Sequence, residues 1–301
     1  MAEQLKTDKN TWVKGISLED NIRGVAIEAT DLVRQMARRH QLSEKGAIGL
    51  GEAVLGALMM ASFCKKGQKI NLNIQGKGLF QQGLVDAHPE GHVRGYVIER
   101  ETAQEEKDQG PWGSGLLSVL RTQDQPGAKP YIGTVPLLTG HLAKDLTYYW
   151  VQSEQIPSAV GLAVSFSHGE IQSAGGFLVQ ALPGAQESSV RLIEKHIAEI
   201  ASLQQLVREQ KDPLYLLTHI FQSQAFSVLE EKPLVFHCEC SWERVERALR
   251  LLGQSELEGM LKECQAPEAH PHSVVHCDFC AKDYPLSAPV IQKILSQIQG
   301  T

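Results

Sequence analysis

The sequence predicts an α+β protein with a mixed helix-and-sheet N-terminal core at 1–183, a helical linker at 184–231 and a small cysteine-rich module at 232–301. Three observations predict this. Short strand-like patterns come in consecutive pairs with helical patterns segregated between them, which favours α+β over a parallel doubly wound sheet. Pro183-Gly184 interrupts that pattern, and an amphipathic helical stretch follows. Four of the six cysteines then sit in two tight pairs, Cys238-Glu239-Cys240 and Cys277-Asp278-Phe279-Cys280.

Taken in order, apolar Ile22, Val25, Ile27, Leu32, Val33 and Met36 read as a possible strand leading into a helix that ends near His40. Ser43 is positioned to cap a second helix from Glu44 to about Lys65. Its many glycines and alanines allow close backbone packing. Lys69 to Gln75 alternates as a half-buried strand does, and Gly76-Lys77-Gly78 breaks it. Gly83–Asp86 and His92–Ile98 read as further strands joined by a turn at Pro89-Glu90-Gly91. A polar loop at 99–110 precedes a strand pair at Gly115–Arg121 and Tyr131–Leu138. Thr139–Glu154 reads as helix, with strands near Gly161–Ser167 and Phe177–Leu182.

Beyond Pro183-Gly184, Ser188 or Ser189 can cap one helix from Val190 to about Lys211, with Ile193, Ile197, Ile200, Leu203 and Val207 on its apolar face. Asp212-Pro213 is a stop-and-restart signal, with Asp as N-cap and Pro at the first helical position of a helix through about Gln222. An apolar face of this kind needs a partner. In the C-terminal module, Ser241 caps a helix from Trp242 to Leu252, which Gly253 ends, and Ser255-Glu256-Leu257-Glu258 has capping-box spacing. A loop at 265–273 leads to Val274-Val275-His276-Cys277, and a closing helix runs from Ser287 to about Ile298.

The 301 residues can bury a substantial core in two or more domains. Composition is that of a folded soluble protein: 42% hydrophobic, 21% charged, mean hydropathy −0.20. A net charge of −6 disfavours a nucleic-acid-binding role, Arg34, Arg38 and Arg39 being the notable basic cluster. The first residues lack the apolar segment of a signal peptide. Residues 47–63 carry Glu52 and fall short of the about 20 residues a membrane span requires. The expectation is therefore a cytoplasmic protein without a membrane partner, whose thiols serve metal binding or redox sensing rather than structural disulfides.

Two cysteine pairs separated by a helical insert read as one closed tetrahedral zinc site with ligands Cys238, Cys240, Cys277 and Cys280. Four thiolates leave no open position for a catalytic water, so the site is structural rather than hydrolytic. It also has redox potential, because metal-held thiolates are the form that oxidants attack. A disulfide between Cys277 and Cys280 would remove two ligands; the static alternative is a zinc ribbon that only holds the module together. His237, His270, His272 and His276 are read as exposed or supporting residues, Cys64 as a small buried residue of the second helix, and Cys264 as inert or as an additional disulfide partner. His141 with Asp145 reads as an i, i+4 surface pair.

These residues carry a resemblance. His237-Cys-Glu-Cys-Ser-Trp-Glu-Arg244, Leu252-Gly253, Glu256-Leu257 and Cys277-Asp-Phe-Cys280 with Tyr284 resemble the redox-regulated chaperone family called heat-shock protein 33. Arg94-Gly-Tyr96, Gly113-Ser-Gly-Leu116, Ser153-Glu-Gln-Ile-Pro-Ser158 and Ala174-Gly-Gly-Phe177 with Gln180 and Pro183 extend the likeness over nearly the whole chain. The resemblance implies a non-enzymatic, ATP-independent holdase that responds to oxidative stress. Its reduced zinc-bound form is inactive, and oxidation forms Cys238–Cys240 and Cys277–Cys280 disulfides, releases zinc and destabilises the linker. The active form is a homodimer in that family, and its partners are unfolded or oxidatively damaged client proteins. Cys264 and Leu286 depart from the common family pattern. The alternatives from other classes are a zinc-ribbon nucleic-acid adaptor, which salt-sensitive RNA or DNA binding would mark, and a thiol oxidoreductase, which turnover of a model disulfide would mark. A hydrolase finds no nucleophile elbow, and Gly76-Lys77-Gly78 is no Walker motif.

Overall fold

Alternation of buried and part-exposed residues marks strands such as Gln68–Gly76, and a side-chain cap starts helices such as Glu44–Ser62, in a computed structural model that describes residues 10–101, 109–125, 127–222, 224–265 and 273–299. Part of the polar loop expected at 99–110, namely 102–108, and the loop residues 266–272 with His270 and His272 lie outside the described residues. The chain divides into two compact units, one ending at His237 and the other beginning at Cys238. Residues 232–237, expected to open the C-terminal module, continue the first unit.

The first unit opens with strands β1 (Thr11–Ser17) and β2 (Ile22–Glu28), helices α1 (Thr30–Arg39) and α2 (Glu44–Ser62), and strands β3 (Gln68–Gly76), β4 (Phe80–Ala87) and β5 (His92–Glu99). Strands β6 (Gly115–Gln123) and β7 (Tyr131–Leu137), helix α3 (Leu142–Gln152), and strands β8 (Ser158–Ser167) and β9 (Glu170–Ala181) follow. Three helices come next, α4 (Glu187–Ala198), α5 (Leu203–Glu209) and α6 (Pro213–Phe221), and then strands β10 (Ser227–Pro233) and β11 (Val235–Phe236). Two sheets result: a five-stranded one ordered β10-β1-β2-β9-β8 and a six-stranded one ordered β11-β5-β4-β3-β6-β7. The pairings are antiparallel except β11 with β5. His168 and Gly169 both adopt positive φ, as the two-residue β8–β9 hairpin turn requires.

Helix α2 is the centre of the core. Ser43 caps it, its hydroxyl accepting from Gly46 N at 3.1 Å. The helix is buried on nearly every face and packs against strands of both sheets. Its small residues explain that closeness: a Cβ at Gly49 would fall 2.5 Å from the Phe80 ring, and one at Gly56 2.6 Å from Leu146. Glu52 is the exception to its apolar lining, and burial pushes its carboxyl up to about 7.

Asp145 is not the surface residue expected beside His141. It is fully buried, and one carboxylate oxygen accepts from Leu138 N (3.0 Å), Thr139 N (3.0 Å) and the Thr139 hydroxyl (3.2 Å), while His141 is exposed. This ties the end of β7 to α3. Asp145→Ala removes the acceptor of two part-buried amides and is expected to cost about 2 kcal/mol in urea unfolding; an effect below about 0.5 kcal/mol would show that water replaces the carboxylate.

The single helix expected from Val190 to Lys211 is two. α4 stops at Ala198 and α5 restarts at Leu203, where the Ser202 hydroxyl accepts from Gln205 N at 3.2 Å. Asp212 caps α6 by accepting from Leu214 N at 2.9 Å, with Pro213 at its first turn. The apolar faces of these helices cover the five-stranded sheet: Ile193, Val207, Leu216, Leu217, Ile220 and Phe221 pack with Val13, Ile22, Ala26, Phe177 and Val179. That sheet is therefore buried on both faces, since Val25, Ile27 and Leu178 belong to the main core with α1 and α2.

Candidate metal centre

The second unit contains α7 (Trp242–Leu252), α8 (Gln254–Gln265), β12 (Ser273–Cys277), β13 (Lys282–Leu286) and α9 (Ala288–Gln299). Ser241 caps α7, its hydroxyl accepting from Arg244 N at 3.4 Å, and Gly253 ends it at φ 86°. Val245, Leu249, Leu257, Tyr284, Leu286, Ile291, Ile294 and Leu295 form its own small core. A core of this size gains much from a covalent or metal staple.

The hairpin β12–β13 places the second cysteine pair. Cys277 pairs with Lys282, and the turn between them closes with Cys280 N and Ala281 N both donating to Cys277 O, at 3.2 and 2.8 Å. Ala281, just after the C-x-x-C span, takes φ 54°, which lets the chain turn back into β13. Cys238 and Cys240 lie on the irregular segment just before α7.

The four sulfurs converge. Cys238 and Cys277 Sγ are 3.8 Å apart, Cys240 and Cys280 Sγ 3.3 Å, and all four lie within 4.8 Å of one another. A tetrahedral ion with bonds of about 2.3 Å sets its sulfurs about 3.8 Å apart, so the donor set and its size both fit a metal ion. Close contacts run between the pairs, and none of the cysteines is in a disulfide.

Electrostatics point the same way. Burial opposes ionisation of Cys240, but the Tyr284 hydroxyl and the neighbouring thiols outweigh it and bring the group down to about 7. Burial holds Cys277 and Cys280 above the usual thiol range. A bound cation removes that penalty by neutralising the thiolates that coordinate it.

Other sequence candidates stand apart. Cys64 lies just past the end of α2, half-buried, and burial raises its thiol. Cys264 on α8 packs against the module core, its thiol directed to Leu286 O at 3.8 Å, and is outside the four-sulfur group. Leu286 is fully buried there. His276 Nδ1 is bonded to Asp283 Oδ1 at 2.7 Å, and the His237 ring lies 4.9 Å from that of His92.

The upstream signatures are structural ties. Arg94 donates to Asp86 through Nε and Nη2 at 2.9 and 2.7 Å, and Asn71 donates to the other Asp86 oxygen at 2.7 Å. Glu154 accepts from the Tyr149 hydroxyl at 3.0 Å, and Gln180 bridges Arg23 Nε and the Ser158 hydroxyl, both at 3.0 Å. Sequence reasoning missed the two strands that precede the first cysteine pair in the chain, β10 and β11 at 227–236.

Among the described residues no helix is long and apolar enough to cross a membrane. Residues 10–287 match the family described as Hsp33 protein. The chain is 32% identical over 300 residues to the 33 kDa chaperonin of Shouchella clausii, covering 97% of this chain and 99% of that one. It is 33% identical over 298 residues to the 33 kDa chaperonin of Bacillus cereus, covering 96% and 100%. The crystal structure of the 33 kDa chaperonin (heat shock protein 33 homolog) from Thermotoga maritima superposes with a TM-score of 0.87 at 28% identity, over 97% of this chain and 100% of that one. With an α+β core, a convergent set of four thiols and likeness along nearly its full length, the chain belongs to the Hsp33 protein family, a family of chaperones rather than enzymes.

Proposed function

We propose that the protein is a redox-regulated, ATP-independent holdase of the cytoplasm that protects unfolding and oxidatively damaged proteins from aggregation. The observation that carries this reading is the double use of each cysteine pair: across the pairs the thiols make one metal site, and within each pair they are spaced to close a disulfide. Cys238, Cys240, Cys277 and Cys280 hold Zn2+, which supplies charge neutralisation and a closed structural link when bound.

Oxidation by a peroxide joins Cys277 to Cys280 and Cys238 to Cys240. Each new S–S bond releases two electrons from a pair of thiolates, and one peroxide takes up those electrons with two protons from solvent to become two waters. Two of the four ligands are consumed by the first disulfide, so the remaining pair no longer closes the site. The module, with its small core, then loses its staple. Loss of the module destabilises the linker at 184–231 against the core at 1–183, which uncovers the apolar sheet face under α4–α6 for clients. The activated form acts as a homodimer.

The test is aggregation of a heat-unfolded client with reduced and with peroxide-treated protein. Protection appears only after oxidation, accompanied by release of zinc from the site. Equal protection in both states overturns the switch.

A further inference from the structure

Residues 227–236 form a strap over two sheet edges. β10 is the outer strand of the five-stranded sheet, pairing antiparallel with β1 from Ile16↔Ser227 to Thr11↔Pro233. Directly afterwards β11 pairs parallel with β5 at the margin of the six-stranded sheet. Val235 N donates to Gly91 O at 2.9 Å and His237 N to Val93 O at 3.0 Å. Without the strap, β1 and β5 are both open edges with unpaired backbone groups.

The strap is held mainly by its backbone. Val228, Leu229 and Val235 are half or more exposed; only Leu234 is buried. Leu234 and Phe236 pack against the main core at the β11 end, whereas the side-chain ties of β10 are polar. Glu230 lies between Lys14 and Lys232 at 2.5 Å from each, and the Lys232 amine also donates to Pro89 O at 2.7 Å. The register breaks between Lys14 and Gly15, where a Cβ on Gly15 would fall 2.8 Å from the Phe226 ring. Edge pairing of this kind takes its affinity from main-chain hydrogen bonds that any extended chain offers, and so tolerates almost any sequence. A protein that holds many unrelated unfolded chains needs that tolerance. Only His237 separates the strap from the first metal-ligand cysteine.

We propose that the edges of β1 and β5 bind extended segments of client polypeptide by β-augmentation, and that residues 227–236 occupy those edges as a built-in stand-in until the cysteine module releases them. Lys14 gives the β1 slot a preference for a carboxylate at the position Glu230 now takes. This inference rests on the proposed holdase function and adds to the apolar sheet face under α4–α6 a second surface, the two strand edges, through which it acts.

Two full-length variants open the strap without oxidation. Neighbouring residues of a strand point their N–H groups in opposite directions, so Glu230→Pro with Glu231→Pro removes a ladder donor whichever of them faces β1. Glu230→Lys, the milder variant, sets three amines together and leaves the backbone intact. The probe is a synthetic peptide with the sequence of residues 227–236, alongside a version carrying the two prolines. Hydrogen exchange is read at 11–17 and 92–99.

In the reduced wild type both strands are protected and the peptide does not bind. In either reduced variant, exchange at the two strands rises at least about tenfold, the peptide binds and restores protection, and the proline peptide does not. In oxidised wild type a held client restores the same protection. Client held while both edges stay unprotected overturns the inference, as does absence of peptide binding to both variants. Edges reprotected by a dimer of exchanged straps, with no peptide bound, overturn it as well. Failure of oxidised wild type to hold any client overturns the holdase reading instead, and peptide binding by the reduced variants still decides the edges.

Discussion

Cys280→Ser is expected to empty the metal site of the reduced protein and unfold the C-terminal unit. Cys280 is the most buried of the four clustered cysteines, and its sulfur lies 3.3 Å from that of Cys240. A serine hydroxyl does not ionise as a thiolate does and is a harder donor, so it does not substitute. Structural zinc contributes about 10–16 kcal/mol of apparent binding energy in small peptides at neutral pH. Loss of one direct ligand is expected to lower affinity by more than the about 100-fold that supporting residues of metal sites command. The module core of Val245, Leu249, Leu257, Tyr284, Leu286, Ile291, Ile294 and Leu295 is too small to compensate. The measurements are zinc per chain and tryptic cleavage after Arg244, Arg247, Arg250 and Lys262. Cys264→Ser is the control, because Cys264 lies outside the four-sulfur group, and it should keep its zinc. Unchanged zinc content and protease resistance in Cys280→Ser would sink the assignment.

The four-thiol cluster is legible in the sequence because its information is local: two cysteine pairs with short spacings, and Ser241 to cap the helix that follows the first pair. The same holds for β3, where Ile70, Leu72 and Ile74 alternate with polar residues and are the buried ones. The misses have the opposite cause. β1 is buried at most positions, so it has no alternation to read; β10 exposes most of its side chains, so it has no apolar pattern. β10 is a strand because β1 lies beside it, a pairing between the two ends of the first unit that neither segment encodes alone. The break at Ser202 is hidden because Ile193, Ile197, Ile200, Leu203 and Val207 keep a nearly continuous helical period across it. Asp145 misleads for a related reason. Its i, i+4 partner suggests a surface pair, whereas its real partners are amides at the end of the preceding strand.

Phe221→Ala is expected to release α6 from the sheet and give a reduced, zinc-loaded protein that holds client without oxidation. Phe221 is fully buried and stacks on Phe226 with ring centroids 4.9 Å apart. Beneath it the sheet surface is flattened by Gly24, where a Cβ would sit 3.2 Å from both Phe221 and Leu217. The helix therefore sits close to the sheet, and truncating its largest anchor leaves a cavity rather than a small gap. Buried Phe→Ala changes cost about 3–5 kcal/mol. Where that cost appears depends on which opening is easier. Leu217, Ile220 and Phe221 belong to a cluster distinct from the main core around α2, so α6 can lift while Trp12, Leu50 and Trp112 stay packed. Local undocking therefore absorbs the loss before global unfolding does. The readouts are hydrogen exchange across 213–221, client aggregation under reducing conditions, and zinc per chain, which stays at the wild-type value. Leu18→Ala is the control: Leu18 is 71% exposed, and a change there should stay within about 0.5 kcal/mol. If Phe221→Ala raised exchange at 213–221 and still required peroxide to hold client, undocking of α6 would not be the activating step, and the uncovered sheet face would not be where clients bind.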